Sequence, residues 1–121
     1  MAGTYALSRD RFAALYLQAD RVRRLLTHRI NSLFSSGITA LLLPSAATPA
    51  PLLSAALASP VENYRADFLT VPANLAGMPA LAVPAGARGG GLPVGVQIVG
   101  RRGGDFEVLR IGMAMERAAG K

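Results

Sequence analysis

The sequence contains no cysteine and no tryptophan, a single histidine and a single lysine. Absence of cysteine rules out disulfides, thiolate metal sites and a cysteine nucleophile together. A lone histidine, His28, cannot build a histidine zinc site, so no metal and no cofactor is expected. The lone lysine, Lys121, is the final residue, a poor place for the base that a serine hydroxyl needs to become nucleophilic. His28 is no substitute, because no acid lies in helical register to orient it. Long apolar runs are missing too. Pro44, Pro49, Pro51 and Pro60 break the most apolar region, and no run reaches membrane-spanning length, so a soluble protein is expected. Acids are scarce: seven Asp and Glu face 13 Lys and Arg, a formal charge of +6.

What is present is one domain's length of chain, 121 residues of which 51% are hydrophobic, enough to bury a core. The most informative stretch is 64–100. There Pro72, Pro79, Pro84 and Pro93 each remove a backbone donor, while glycines from Gly77 to Gly100 permit turns and close approach. Ala80 to Val83 and Val94 to Val99 are short apolar segments, predicted as two buried strands joined by a turn through Gly89, Gly90 and Gly91. That triple glycine is not a phosphate loop, since no Lys-Ser/Thr pair follows and the next element reads as a strand.

Elsewhere, Ser8 is a good N-cap, and Phe12, Leu15, Tyr16, Ala19, Val22, Leu26, Ile30 and Leu33 recur at helical intervals, predicting one long amphipathic helix. Its basic, serine-containing start is presequence-like, but Asp10 and Asp20 argue against a leader and the segment is taken as mature structure. Ser35-Ser36-Gly37 ends the helix, and Ile38 to Leu43 reads as a buried strand stopped by Pro44. The low-complexity run 45–60 is a surface excursion or short helix. A short helix opens at Pro60 and carries Tyr64 and Asp67; a second helical turn runs from Thr70 to Gly77. The last helix extends from Asp105 to Arg117, capped by Asp105, with Phe106, Leu109 and Met113 lining one face and Met113 and Met115 read as core or interface filler. Asn74 and Gln97, polar residues in apolar segments, are read as satisfying backbone groups.

Two features invite functional readings. Arg9, Arg11, Arg21, Arg23, Arg24 and Arg29 give the first helix a basic face. With no interleaved aromatic run for base stacking, a solvated face or a seam against an acidic partner chain is favoured over RNA. Asp67, beside Phe68 and Leu69, sits where partial burial would demand a partner: a cation such as Arg65 or a first-helix arginine, or the ammonium group of a substrate.

Tyr64, Asp67, Thr70, Pro72, Asn74, Leu75, Ala76 and Gly77, followed by Leu92, Pro93, Gly95 and Gln97, resemble the C-terminal signature of the amidase family, in particular its branch of glutamyl-tRNA(Gln) amidotransferase A subunits. The resemblance runs from Gly3-Thr4-Tyr5-Ala6-Leu7-Ser8 to the last helix and corresponds to the last quarter or so of a full member. It departs at Thr39, where an aspartate is usual, and at 44–49, where a Pro-Thr-Thr-Pro turn is loosened. It implies an α/β fold, the C-terminal segment of a mixed sheet flanked by helices, with about three strands between a long N-terminal and a C-terminal helix, and residues 1–121 as a single partial amidase domain. Three strands with helices on one side would leave an open edge and an apolar face for another chain to cover.

The resemblance also implies that Asp67 helps hold the amino-acid end of glutamine. The family cleaves amides with two serines and a lysine carried in an upstream Gly/Ser-rich region that is not in this chain; Ser35 and Ser36 are better explained as a helix end. The chain alone is therefore expected not to hydrolyse an amide, and no catalytic residue is assigned within it. Three readings follow: part of an amidotransferase subunit that supplies ammonia to misacylated tRNA, part of a free-standing amide hydrolase, or a non-catalytic structural remnant of a larger assembly. The partners implied are another protein chain completing the sheet and tRNA met through the complex. No compartment is specified; cytoplasm and mitochondrial or plastid matrix all suit.

Overall fold

The computed structural model describes residues 12–54, 61, 66–88 and 91–119. The predicted caps and leads at Ser8 and Tyr64, the triple glycine apart from Gly91, and Lys121 lie outside the described residues. A π-helical turn, Phe12–Leu17, runs into helix α1, Gln18–Ser35. Strand β1 is Ala40–Pro44, α2 is Val71–Ala76, β2 is Ala80–Arg88, β3 is Leu92–Gly100 and α3 is Asp105–Ala118. The strands form one sheet in the order β1-β3-β2, both ladders antiparallel.

The central strand explains the layering. Along β3 successive side chains point to opposite faces, and both faces are apolar. Val99 meets Ala73, Ala76 and Met78, with Ile30, Phe34, Leu41 and Leu43 packed around them. Ile98 and Val83 meet Val108, flanked by Leu81, Val96, Ile111 and Met115. Helices thus cover both faces, α1 and α2 on one and α3 on the other, in place of the one-sided sheet expected from the sequence. Ile98 is 0% exposed; burial of such a side chain contributes roughly 1.5–3 kcal/mol.

Both strands of the hairpin exceed their predicted lengths, and prolines do not stop them. At Pro93 the strand β3 has β2 alone as a neighbour, because the β1 ladder ends at Pro44 opposite Val96; a missing N–H there breaks no second ladder. Pro84 lies on edge strand β2 beside a register shift between Pro84 and Gly86, a bulge that absorbs the irregularity. Gly86 and Gly91 carry positive φ of 115° and 80°, and β2 and β3 pair antiparallel up to Arg88 opposite Leu92; Gly89 and Gly90 of the predicted turn lie outside the described residues.

Helix α2 ends on Gly77, in the left-handed region at φ 65°. The Met78 N–H donates to the Ala73 carbonyl at 3.0 Å, closing the helix and burying Met78 against its last turn. At the end of α1, the hydroxyls of Ser35 and Ser36 donate to the carbonyls of Asn31 and Leu33 at 3.0 and 2.7 Å, so both serines serve the helix terminus.

In helix α3 the apolar face read from the sequence is not the one that the sheet takes. Phe106, Leu109 and Met113 are 88%, 50% and 52% exposed; the buried residues are Val108 and Gly112. The helix carries two apolar stripes, and the sheet takes the one that offers close approach. A Cβ on Gly112 would meet the Leu81 side chain, and one on Gly100 would meet Val108. Asp105 is the first helical residue and not the cap; Gly104 occupies that position with no side-chain bond. Asp105 and Glu107 still place negative charge at the positive end of the helix dipole.

The first helix is corrected similarly. Leu26 and Ile30 are half-buried, but Val22 and Leu33 are 64% and 43% exposed, and no α1 residue is fully buried. The unpredicted Phe34 takes the place beside Ile30 against the core, while the N-terminal half of α1 borders an open cleft with Leu75 of α2.

Candidate functional site

Asp67 opens a tight turn, 67–70, that leads into α2. Its carbonyl accepts from the Thr70 N–H at 3.0 Å, the Val71 N–H at 3.2 Å and the Thr70 hydroxyl at 2.9 Å. Two amide side chains lock the same turn. Gln97, 3% exposed on β3, donates from Nε2 to the Leu69 carbonyl at 2.9 Å. Asn74 donates from Nδ2 to the Thr70 carbonyl at 3.1 Å. Both amides satisfy main-chain acceptors, as the sequence reading anticipates, although Asn74 does so from an exposed position.

The carboxylate is placed differently from expectation. Asp67 is exposed, as is Phe68 at 57%, whereas its apolar neighbours in the sequence suggest partial burial. The turn carries them outward because its inward-facing groups are Leu69 and Thr70, both half-buried. Among the described residues Asp67 makes no ion pair, and two of the first-helix arginines are engaged elsewhere. Arg23 and Arg24 both reach Asp20, at 2.9 and 2.7 Å, and these hydrogen bonds, Arg24 first, hold its carboxyl below the usual value. Tyr64 and Arg65 lie outside the described residues.

Beside this turn is a pocket of about 170 Å³, in which the polar side chains of Ser45, Thr70, Asn74 and Gln97 are interspersed with Leu81 and three alanines, Ala73, Ala80 and Ala82. Ser45 follows β1, its N–H donates to the Gly95 carbonyl at 3.0 Å, and its hydroxyl is buried without a hydrogen-bond partner among the described residues. In the sequence Ser45 stands out only as part of the loosened turn at 44–49; its hydroxyl packs so close to Gly95 that a Cβ there would lie 3.0 Å from it. The turn therefore presents a rigid main chain with an exposed carboxylate, unpaired among the described residues, while its Thr70 borders a small, mainly apolar recess that Asp67 itself does not line. No group of three or more His, Cys, Asp or Glu able to hold a metal exists among the described residues, and none of their helices is long and apolar enough to cross a membrane.

This architecture is that of the Amidase family, whose model matches residues 1–109; the chain belongs to that family. Its relatives are more particular. The A subunit of glutamyl-tRNA(Gln) amidotransferase from Neisseria meningitidis is 47% identical over 109 residues, 90% of this chain and 22% of the relative. Its counterpart in Rhodopseudomonas palustris is 42% identical over 124 residues, covering 100% of this chain and 25% of the relative. The crystal structure of the same enzyme's A subunit from Thermotoga maritima superposes with a TM-score of 0.81 at 38% identity, over 97% of this chain and 25% of that one. An allophanate hydrolase from Kluyveromyces lactis matches with a TM-score of 0.70 at 30% identity, over 83% of this chain and 16% of that one. The chain thus spans about a quarter of the length of these amidotransferase relatives and corresponds to their C-terminal part.

Proposed function

We propose that the chain supplies the C-terminal part of an amidotransferase A subunit, in which glutamine is hydrolysed and the ammonia passes to misacylated tRNA, with Asp67 binding the glutamine ammonium group. The observation that carries this reading is the agreement with the amidotransferase relatives along the whole chain, joined to the exposed Asp67, unpaired among the described residues, on a turn braced by Gln97 and Asn74. No serine-lysine pair occurs among the described residues, so the amide bond is broken by groups that this chain does not provide. Its own contribution is to grip and orient substrate. Another protein chain or segment completes the sheet, whose edge strands β1 and β2 are unpaired on their outer sides among the described residues. Contact with tRNA comes through that assembly.

Co-expression tests it. The chain is combined with the Thermotoga maritima relative lacking its matching C-terminal quarter and with that enzyme's partner subunits, and glutamine hydrolysis is measured. Glutaminase activity is expected, with Asp67→Asn raising KM roughly tenfold or more, the loss of one charge-assisted hydrogen bond, and kcat little changed. No activity with a correctly assembled complex would leave the structural-remnant reading. The likeness to allophanate hydrolase keeps a free-standing amide hydrolase as the second reading; hydrolysis of small amides without any partner protein would favour it.

A further inference from the structure

Two adjoining clefts between α1 and α2 make one groove, none of whose lining residues belongs to a strand. One end, of about 420 Å³, is apolar, walled by Tyr16, Ala19, Val22, Leu26 and Leu75. The other, of about 410 Å³, is basic, bordered by Arg23, Arg24 and Arg102 with Thr27 and Asn74. Arg23 and Leu75 line both, so the two are continuous. From this geometry we infer that the groove docks a segment of a partner protein in which an apolar side chain is followed within a few residues by carboxylates.

Three arginines against the single acid Asp20 leave the groove with a net positive charge. Asp20 holds Arg23 and Arg24 side by side at 2.9 and 2.7 Å, which fixes two guanidinium forks without neutralising both. Arg102 makes no ion pair among the described residues. The apolar end leaves Val22 64% and Leu75 48% exposed, a contiguous oily wall beside strong charge, the composition of an interface core and its rim. Charge complementarity selects an acidic partner, and the wall selects a peptide over a nucleic acid. A phosphodiester chain gains nothing from Val22, Leu26 and Leu75. Its evenly spaced charges would also run against the Asp20 carboxylate, whereas isolated Asp or Glu side chains can aim at Arg24 and Arg102 and avoid it. Only Tyr16 among the lining residues offers a ring for base stacking, and it lies at the apolar end. The inference does not rest on the role proposed for Asp67.

The test is selection of random dodecapeptides on phage against the purified 121-residue chain, followed by fluorescence polarisation with the best labelled peptide. Enriched peptides should pair an aliphatic or aromatic residue with two or more Asp or Glu. Their affinity should fall by about tenfold or more in the double variant Arg24→Gln/Arg102→Gln, and as much in Leu75→Asp, with a strong decline at high salt. All three positions are exposed, and circular dichroism checks that the variants keep their fold. Any of four results would overturn the inference: no enrichment; peptides lacking acidic residues; affinity indifferent to these variants; or self-association of the chain that Leu75→Asp abolishes. Displacement of the peptide by transfer RNA that itself binds through Arg24 and Arg102 would reassign the groove to nucleic acid.

Discussion

The seating of α3 on the sheet depends on a contact between a glycine and a valine, and replacing Gly100 by alanine probes it. Gly100 ends β3, is buried, and donates its N–H to the Pro79 carbonyl at 2.9 Å. A Cβ there would collide with Cγ2 of Val108 and lie 3.5 Å from Pro79 Cγ and 3.6 Å from the Gly104 carbonyl. Val108 is 2% exposed, and as a β-branched residue in a helix it has essentially one rotamer. It cannot swing away, so α3 must move outward. Overpacking of this kind costs about 1–3 kcal/mol. The reduced freedom of the unfolded chain offsets about 0.4–1 kcal/mol. A net loss of about 1–2 kcal/mol lowers Tm by roughly 4–8 °C in a chain of this size. Urea unfolding followed by circular dichroism reads the loss directly. The decisive variant is the double substitution Gly100→Ala/Val108→Ala, because removing the valine methyls makes room for the new one. Val108→Ala alone leaves a cavity and destabilises, yet the double variant should be more stable than the sum of the singles by about 1 kcal/mol or more. Strict additivity, or an unchanged Tm in Gly100→Ala, would refute the packing described for α3.

Further outcomes follow from the same geometry. Gln97→Met keeps the volume but strips the Leu69 carbonyl of its buried donor, and should destabilise by about 1–3 kcal/mol in urea titrations; no loss would mean that the turn holding Asp67 does not need β3. Gly77→Ala meets nothing within 4 Å but must hold φ 65°, so it should cost about 1 kcal/mol through backbone strain alone, read as a lower urea midpoint. The Asp20 carboxyl is held below the usual value near 3.8 by Arg24 and Arg23. Its folded pKa being depressed, the stabilisation is present above the unfolded value and is lost as pH falls through the folded one. The wild type should therefore exceed Asp20→Asn in thermal stability at neutral pH, and the gap should close in acid below the ordinary carboxylate value. A gap unchanged in acid would show that packing and not charge is responsible.

How much is legible in the sequence differs by element. Where local rules act alone, the sequence suffices. The glycine-rich hairpin, the helix stop at Ser35-Ser36-Gly37, the short helix closed by Gly77 and the roles of Asn74 and Gln97 all follow from backbone sterics and hydrogen-bond satisfaction. The motif from Asp67 to Gln97 also points to the family, because residue types at fixed offsets can be matched without knowledge of packing. Tertiary structure decides what periodicity leaves degenerate. Helix α3 bears two apolar stripes, and hydrophobicity favours Phe106, Leu109 and Met113; close approach through Gly100 and Gly112 selects Val108 and Ile111, since a glycine opposite a side chain lets backbones draw together. Pro84 and Pro93 fall just outside the predicted strands 80–83 and 94–99, but an edge position and a missing neighbour let the strands run through them. Asp67 looks half-buried from its apolar neighbours, and only the path of its turn, pinned by Gln97 on β3, sets the carboxylate outside. The groove of Leu75, Arg24 and Arg102 joins residues far apart along the chain, a juxtaposition that no sequence window contains, because it exists only once α1 and α2 have packed.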